Sequence, residues 1–180
     1  ILWSFTRDDN SDVEYSFAAP LAIVDTDNDG FIDAAFGGDL KGNMWQFHFC
    51  KRSSAGTCGT ANWTGTLLLD KLGGSDKFPL YNQPTVSIDG DNNLWIYWAT
   101  GDKADPTGNG PRQYIYGLKP LLCNTSGTPS PCLRTGLLDI TTDQLAYCSA
   151  TSSKGWWIRL AGTSEQVLAE PVVFGNVLYV

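Results

Sequence analysis

Nine consecutive residues of this 180-residue chain, Asp25-Thr-Asp27-Asn-Asp29-Gly30-Phe31-Ile-Asp33, set four carboxylates at alternating positions around a glycine. Carboxylate and carbonyl oxygens are the ligands of calcium, a hard cation that takes about six to eight of them. Asp25, Asp27 and Asp29 match the first, third and fifth positions of a calcium loop, and Gly30 the sixth, where a positive φ is required. Phe31, at the seventh, offers its backbone carbonyl, and Asp33, at the ninth, closes the ring. An EF-hand would need a bidentate glutamate at the twelfth position, which here is Phe36. The flanking runs Leu21-Ala-Ile-Val24 and Ala34-Ala-Phe36 read as strands, not helices. A calcium loop between two strands is therefore expected. Magnesium fits less well, because it prefers octahedral sites that retain several waters, and zinc would want Cys or His ligands. The competing reading is a solvated Asp/Asn/Gly turn, against which the regular spacing weighs. Four carboxylates this close repel one another, so the metal-free loop is expected to be disordered and the ion to staple it.

These four acids account for more than half of the formal net charge of −7. The acidity is local, and a nucleic-acid partner, which calls for a basic surface, is not expected. No apolar run approaches the ~20 residues of a membrane-spanning helix. Five cysteines suggest two short-range disulfides, Cys50 with Cys58 and Cys123 with Cys132, leaving Cys148 over. Neither pair has a zinc or redox spacing, and such staples persist outside the cytoplasm.

The elements that must carry the loop are strands. Nineteen Gly and nine Pro interrupt short apolar runs, a pattern of strands and turns. Three segments share a phrase: a proline, a β-rich run, a polar turn, and a motif closing on an aromatic. They run from Pro20 to Trp45, from Pro84 to Trp95 and from Pro171 to Tyr179. The second and third are read as hairpins; the first is longer, and the acidic loop sits in its extra length. Further strands are expected at Leu2–Phe5, Trp45–Phe49, Leu94–Trp98, Gln113–Tyr116 and Trp156–Leu160. Units of this size suit propeller blades. The expectation is an all-β chain, a partial β-propeller of antiparallel blades with about three blades over residues 1–180, incomplete because both ends fall in strand-like runs. A complete β-sandwich is the alternative.

The stretch from Asp25 to Phe47, with Gly38-Asp39-Leu40-Lys-Gly42-Asn43-Met-Trp45-Gln-Phe47, resembles the C-terminal propeller domain of the PilC/PilY type IV pilus tip-associated adhesins. Trp95–Asp102, Gln113–Leu118 and Glu165–Gly175 resemble later strands of that family in the same order. The resemblance implies a non-enzymatic chain that reaches the pilus tip or cell surface through the periplasm and outer membrane. There calcium would regulate pilus extension and retraction, twitching motility and adhesion. It implies Asp25, Asp27, Asp29, the Phe31 carbonyl and Asp33 as ligands. The partners it implies are pilus components, a host or surface receptor, or the remaining blades. Other readings are an integrin-like or lectin-like ligand-binding propeller, or a quinoprotein dehydrogenase propeller suggested by Gly42-Asn43-Met-Trp45.

His48, the sole histidine, is read as a packed or rim residue that shares a strand face with Met44 and Gln46. Asp102, Asp105 and Asn109 could form a second oxygen-rich site, though their Gly- and Pro-rich surroundings favour a surface loop. Trp63, Trp156 and Trp157 are read as packing residues. Asn62-Trp-Thr64 and Asn124-Thr-Ser126 fit a glycosylation pattern that is incidental in a bacterial protein.

Overall fold

A computed structural model describes residues 2–49, 59–70, 78–108, 110–123, 131–149 and 153–180. Cys50, Cys58, Asn109, Asn124 and the side chain of Cys148 lie outside them. Among the described residues the chain is built of strands, with a single four-residue helix, Ala146–Ser149, and three short 3-10 turns. No described helix is long and apolar enough to cross a membrane.

Two five-stranded sheets share one plan. The first runs β1 (Ala22–Val24), β2 (Ala34–Gly38), β3 (Met44–His48), β4 (Thr64–Asp70), then β8 (Cys132–Leu133). The second runs β5 (Thr85–Ile88), β6 (Leu94–Ala99), β7 (Tyr114–Leu118), β10 (Gly155–Arg159), then β9 (Leu138–Asp139). In each, four antiparallel strands end on a two-residue strand that pairs parallel. A 3-10 turn, Arg134–Gly136, joins β8 directly to β9, so one segment edges both sheets. The disulfide Cys123–Cys132, with Cα atoms 5.2 Å apart, ties that segment to the end of β7 as the spacing suggested. Closing so short a loop contributes about 2–3 kcal/mol. The third sheet is the hairpin β11 (Val172–Phe174) and β12 (Val177–Tyr179), turned by Gly175 and Asn176 at positive φ.

Strand alternation decides the core. Phe36, Met44 and Leu69 of the first sheet pack against Ile96, Trp98 and Leu118 of the second, all at most 1% exposed. On the opposite face of the first sheet, Trp45 and Phe47 are covered by Trp3, Phe5 and Phe17. Met44 and Trp45 thus point opposite ways. Leu2–Phe5 is not the strand expected of it. It is an aromatic strap without a ladder partner among the described residues, and its rings cover β3 from above. Phe5 lies 5.7 Å from Phe47 and 6.0 Å from Trp45.

The three proline-opened strands β1, β5 and β11 lie side by side, with β5 in the middle. Gln83 Nε2 donates to the Leu21 carbonyl at 2.9 Å, and Thr85 Oγ1 donates to the Pro171 carbonyl. The shared phrase nevertheless mixes two positions. Trp95 follows the turn between the first and second strands of its sheet, whereas Trp45 follows the turn between the second and third. The first unit is longer because it holds a whole additional strand, β2, as well as the acidic loop.

What recurs is a turn chemistry. Asp89 Oδ2 accepts from the Trp95 indole at 2.8 Å, and Oδ1 from the Asn93 and Asp91 amides at 2.9 and 3.0 Å. Asp39 does the same before Trp45, with Oδ2 at 3.1 Å from the indole and Oδ1 accepting from the Lys41, Gly42 and Asn43 amides. Gly42 has φ +108°, and a Cβ there would lie 2.7 Å from the Phe78 carbonyl. Asn92 takes the corresponding positive φ, 62°, in the other turn.

The Asp89 turn gives a pH prediction. The Trp95 indole N–H, with the Asn93 and Asp91 donors, outweighs partial burial and holds the Asp89 carboxyl far below the ordinary carboxylate range. A depressed folded pKa stabilises above the unfolded value of ~3.9 and is lost as pH falls towards the folded one. Wild type is therefore expected to lose about 1 kcal/mol more than Asp89→Asn between neutral pH and the acid side of pH 4, after solvent screening at this half-exposed turn. Denaturant midpoints at both pH values check it. Parallel losses would refute it.

Candidate functional site

The acidic loop joins β1 to β2, and the antiparallel pairs Ala22↔Phe36, Ile23↔Ala35 and Val24↔Ala34 bring its two ends together. The base of the hairpin is closed by the Asp33 amide donating to the Val24 carbonyl at 3.0 Å. From there the chain turns on Asn28 and Gly30, at φ 63° and 88°. One carboxylate oxygen from each of Asp25, Asp27 and Asp29 lies within 4.8 Å of the others.

The loop has internal support that charge repulsion alone leaves out. Asp25 Oδ1 accepts from the Asn28 amide at 2.7 Å and more distantly from Asp27 and Asp29, and its Oδ2 accepts from Gly30 at 2.7 Å. Partial burial pushes the Asp25 carboxyl upward, but the Gly30, Asn28, Asp29 and Asp27 amides together overcome this and hold it below its usual value. Asp29 Oδ1 accepts from the Phe31 amide at 2.9 Å, while its Oδ2 is shut off from solvent and has no hydrogen-bond partner. The Phe31 side chain is half exposed.

Asp33 stands apart from the three-carboxylate group. It is 4% exposed. Its Oδ2 accepts from the Thr26 amide at 2.7 Å and the Thr26 hydroxyl at 2.6 Å. Its Oδ1 is buried without a hydrogen-bond partner. Thr26 is a partner that the spacing alone did not signal, since it faces Asp33 only once the hairpin closes.

The donor set fits a hard cation. Two buried carboxylate oxygens of the loop, Asp29 Oδ2 in the three-acid cluster and Asp33 Oδ1 at its base, lack donors among the described residues, and burying unpartnered acceptors costs on the order of 1–3 kcal/mol each. A cation of the calcium class would supply what they lack, and no cysteine or histidine stands in the loop to favour zinc.

Beside the loop lies a cavity of about 260 Å³, with Thr26, Asp33, Gln46 and His48 on one side and Ile88 and Leu94 on the other. It links the loop to the β5–β6 turn of the second sheet. Burial lowers the pKa of His48 and keeps its imidazole neutral near neutral pH. Trp63 packs 4.9 Å from Phe49, and Trp157 packs 5.7 Å from Tyr114.

No family model matches the chain. A stretch of 40 residues, 22% of the chain, is 42% identical to the type IV pilus biogenesis factor PilY1 homolog of Xylella fastidiosa. It spans 3% of that protein. Among solved structures, the crystal structure of the Pseudomonas aeruginosa PilY1 C-terminal domain superposes on 88% of the chain with a TM-score of 0.65. The fold is that of the PilY1 C-terminal domain. At 16% identity the likeness is one of fold, and the chain covers 42% of the PilY1 domain. The sheets are accordingly blades of a β-propeller-like fold, partial and open rather than closed into a ring.

Proposed function

We propose that this chain is a calcium-binding part of a type IV pilus-associated, PilY1-like propeller. Asp25, Asp27, Asp29, the Phe31 carbonyl and Asp33 hold the ion, Asp33 through Oδ1 because Oδ2 is taken by Thr26. The observation that carries the reading is a pair of buried oxygens without a hydrogen-bond donor among the described residues, Asp29 Oδ2 within the three-carboxylate group and Asp33 Oδ1 at the base of the same loop. The pilus assignment is supported by the 40-residue likeness to the Xylella fastidiosa protein and by the shared fold.

In this reading the chain contributes three blades, β1–β4 with β8, β5–β7 with β10 and β9, and β11–β12, to a larger propeller. Side-by-side first strands and 42% coverage of the solved domain support it. The role is non-enzymatic. The loop binds calcium and orders the first-sheet hairpin, beside a cavity that the second sheet also lines. The parent protein is then exported to the pilus tip or cell surface, where calcium occupancy tunes pilus biogenesis, extension and retraction, twitching motility and adhesion. Its partners are pilus components or a surface receptor. The Cys123–Cys132 disulfide is consistent with an extracytoplasmic site.

Calorimetric titration of the chain with calcium is expected to lose one binding event in Asp29→Ala. In the producing bacterium, Asp29→Ala in the full-length protein is expected to change the number of sheared surface pili and the twitching zone. Unchanged calorimetry would remove the metal reading. Lost calcium binding with unchanged pili and motility would remove the pilus role alone.

A further inference from the structure

A second oxygen-rich concavity lies away from the acidic loop, where the connection from β6 to β7 meets the segment after β10. Its volume is about 160 Å³, and Asp102, Asp105, Gly108, Gln113, Thr163 and Gln166 are on its walls. Several contacts define its chemistry.

Gln113, at the entry to β7, is 3% exposed. Its Nε2 donates to the Pro111 carbonyl at 2.9 Å. A carbonyl can only accept, so this bond sets the orientation of the amide. The other end, Oε1, is buried and has no hydrogen-bond partner among the described residues. An acceptor in that state wants a donor or a cation.

Two carboxylates share the space. Asp102 Oδ1 accepts from the Ala104 amide at 2.9 Å. The Asp105 carboxylate folds back over the loop, close enough that a Cβ on Gly108 would stand 2.2 Å from its Oδ2. Neither acid is ion-paired among the described residues. Gln166 holds both in place through the backbone: its Oε1 accepts from the Asp102 amide, and its Nε2 donates to the Asp105 carbonyl at 2.9 Å. A water could satisfy Gln113 Oε1, but it would leave two carboxylates on the walls of one cavity without a counter-charge. A hard cation answers both needs.

We propose that Asp102, Asp105 and the buried Gln113 Oε1 form a second divalent-cation site of the calcium class, with the Thr163 hydroxyl in the same cavity. All its donors are oxygens, and no Cys or His lines the cavity to favour zinc. The ion fastens the β6–β7 loop to the segment after β10, a junction that already carries the Val167 amide bond to the Thr100 carbonyl at 3.3 Å. The site does not depend on the Asp25–Asp33 loop.

Equilibrium dialysis against calcium, counting bound ions per chain, tests it. Wild type is expected to bind two ions, and Asp29→Ala and Asp105→Ala one each. The double variant is expected to bind none. Asp105 is exposed, so its replacement leaves the fold intact, which the metal-free circular dichroism spectrum checks. Gln113→Leu in the Asp29→Ala background keeps the volume but removes the buried oxygen, and is expected to weaken the remaining site by about ten-fold or more. In the same Asp29→Ala background, calcium is expected to slow cleavage after Lys103 by a lysine-specific protease. One ion on wild type that Asp105→Ala removes would sink the acidic-loop reading and leave this site standing. No ion on Asp29→Ala, or a count unchanged by Asp105→Ala, would overturn the second site.

Discussion

Calcium is expected to raise the melting temperature of the chain, and the rise is expected to be about 5–10 °C smaller in Asp29→Ala than in wild type. A ligand that binds only the folded state stabilises it by about 2.7 kcal/mol at a free concentration of 100 times its dissociation constant. In a chain of this size each kcal/mol moves the midpoint by roughly 2–4 °C. Asp29 is the informative position because its two oxygens do different things. Oδ1 accepts one amide within the loop, while Oδ2 is buried with nothing to accept. Its removal costs the metal-free protein little and the metal-bound protein a ligand. Asp25→Ala should behave differently. Asp25 caps the Asn28 and Gly30 amides at 2.7 Å, so its loss lowers the melt even in chelator. Melting curves of the three proteins, with calcium and with chelator, separate the two roles. An equal calcium-dependent rise in wild type and Asp29→Ala would refute the loop as a metal site.

Asp39→Ala is expected to cost about 3–5 kcal/mol, because five neutral N–H donors lose their acceptor at on the order of 1 kcal/mol each. The Asp39 side chain is 0% exposed. Its oxygens accept from the Lys41, Gly42 and Asn43 amides at 2.9–3.0 Å, and from Asn43 Nδ2 and the Trp45 indole at 2.8 and 3.1 Å. Truncation strands these donors where water cannot reach them, and each costs on the order of 1 kcal/mol or more. Asp39→Asn should fall between wild type and alanine. Its carbonyl oxygen can replace Oδ1, but its amide would then face Asn43 Nδ2 and the Trp45 indole, donor against donor. Denaturant unfolding of the three proteins in chelator measures this apart from the metal. A loss below about 1 kcal/mol for Asp39→Ala would show that the turn is held by the β2–β3 ladder and not by the carboxylate.

Asp39 also marks how far residue types alone could carry the reading. In the sequence it stood inside a recognisable phrase, Gly38-Asp39-Leu40-Lys-Gly42-Asn43-Met-Trp45, without any sign that it was the buried clasp of the turn. Only the pairing of β2 with β3, Gly38 opposite Met44, puts its carboxylate where it accepts from the Trp45 indole N–H. The repeated phrase was legible, but its position within the blade was not, because the same turn chemistry serves the first turn of one sheet and the second turn of the other.

Features set by short-range spacing were readable from the chain itself. The alternating carboxylates of Asp25, Asp27 and Asp29 converge because a tight loop turning on Gly30 points alternate residues inward. The opposite facing of Met44 and Trp45 follows from the two-residue period of a strand. Cys123 and Cys132, nine residues apart, could meet with little chain entropy to overcome. Tertiary structure decided everything that depends on distant segments meeting. It converted Leu2–Phe5 from a strand into a strap, since a strand needs a partner edge and β3 was already paired on both sides. It gave Asp33 to Thr26, and it brought Gln113 to one cavity with Thr163 and Gln166 across some fifty residues of chain. Alternation and loop spacing are local consequences of backbone geometry, whereas burial, and with it the cost of an unpartnered oxygen, exists only once the sheets have packed.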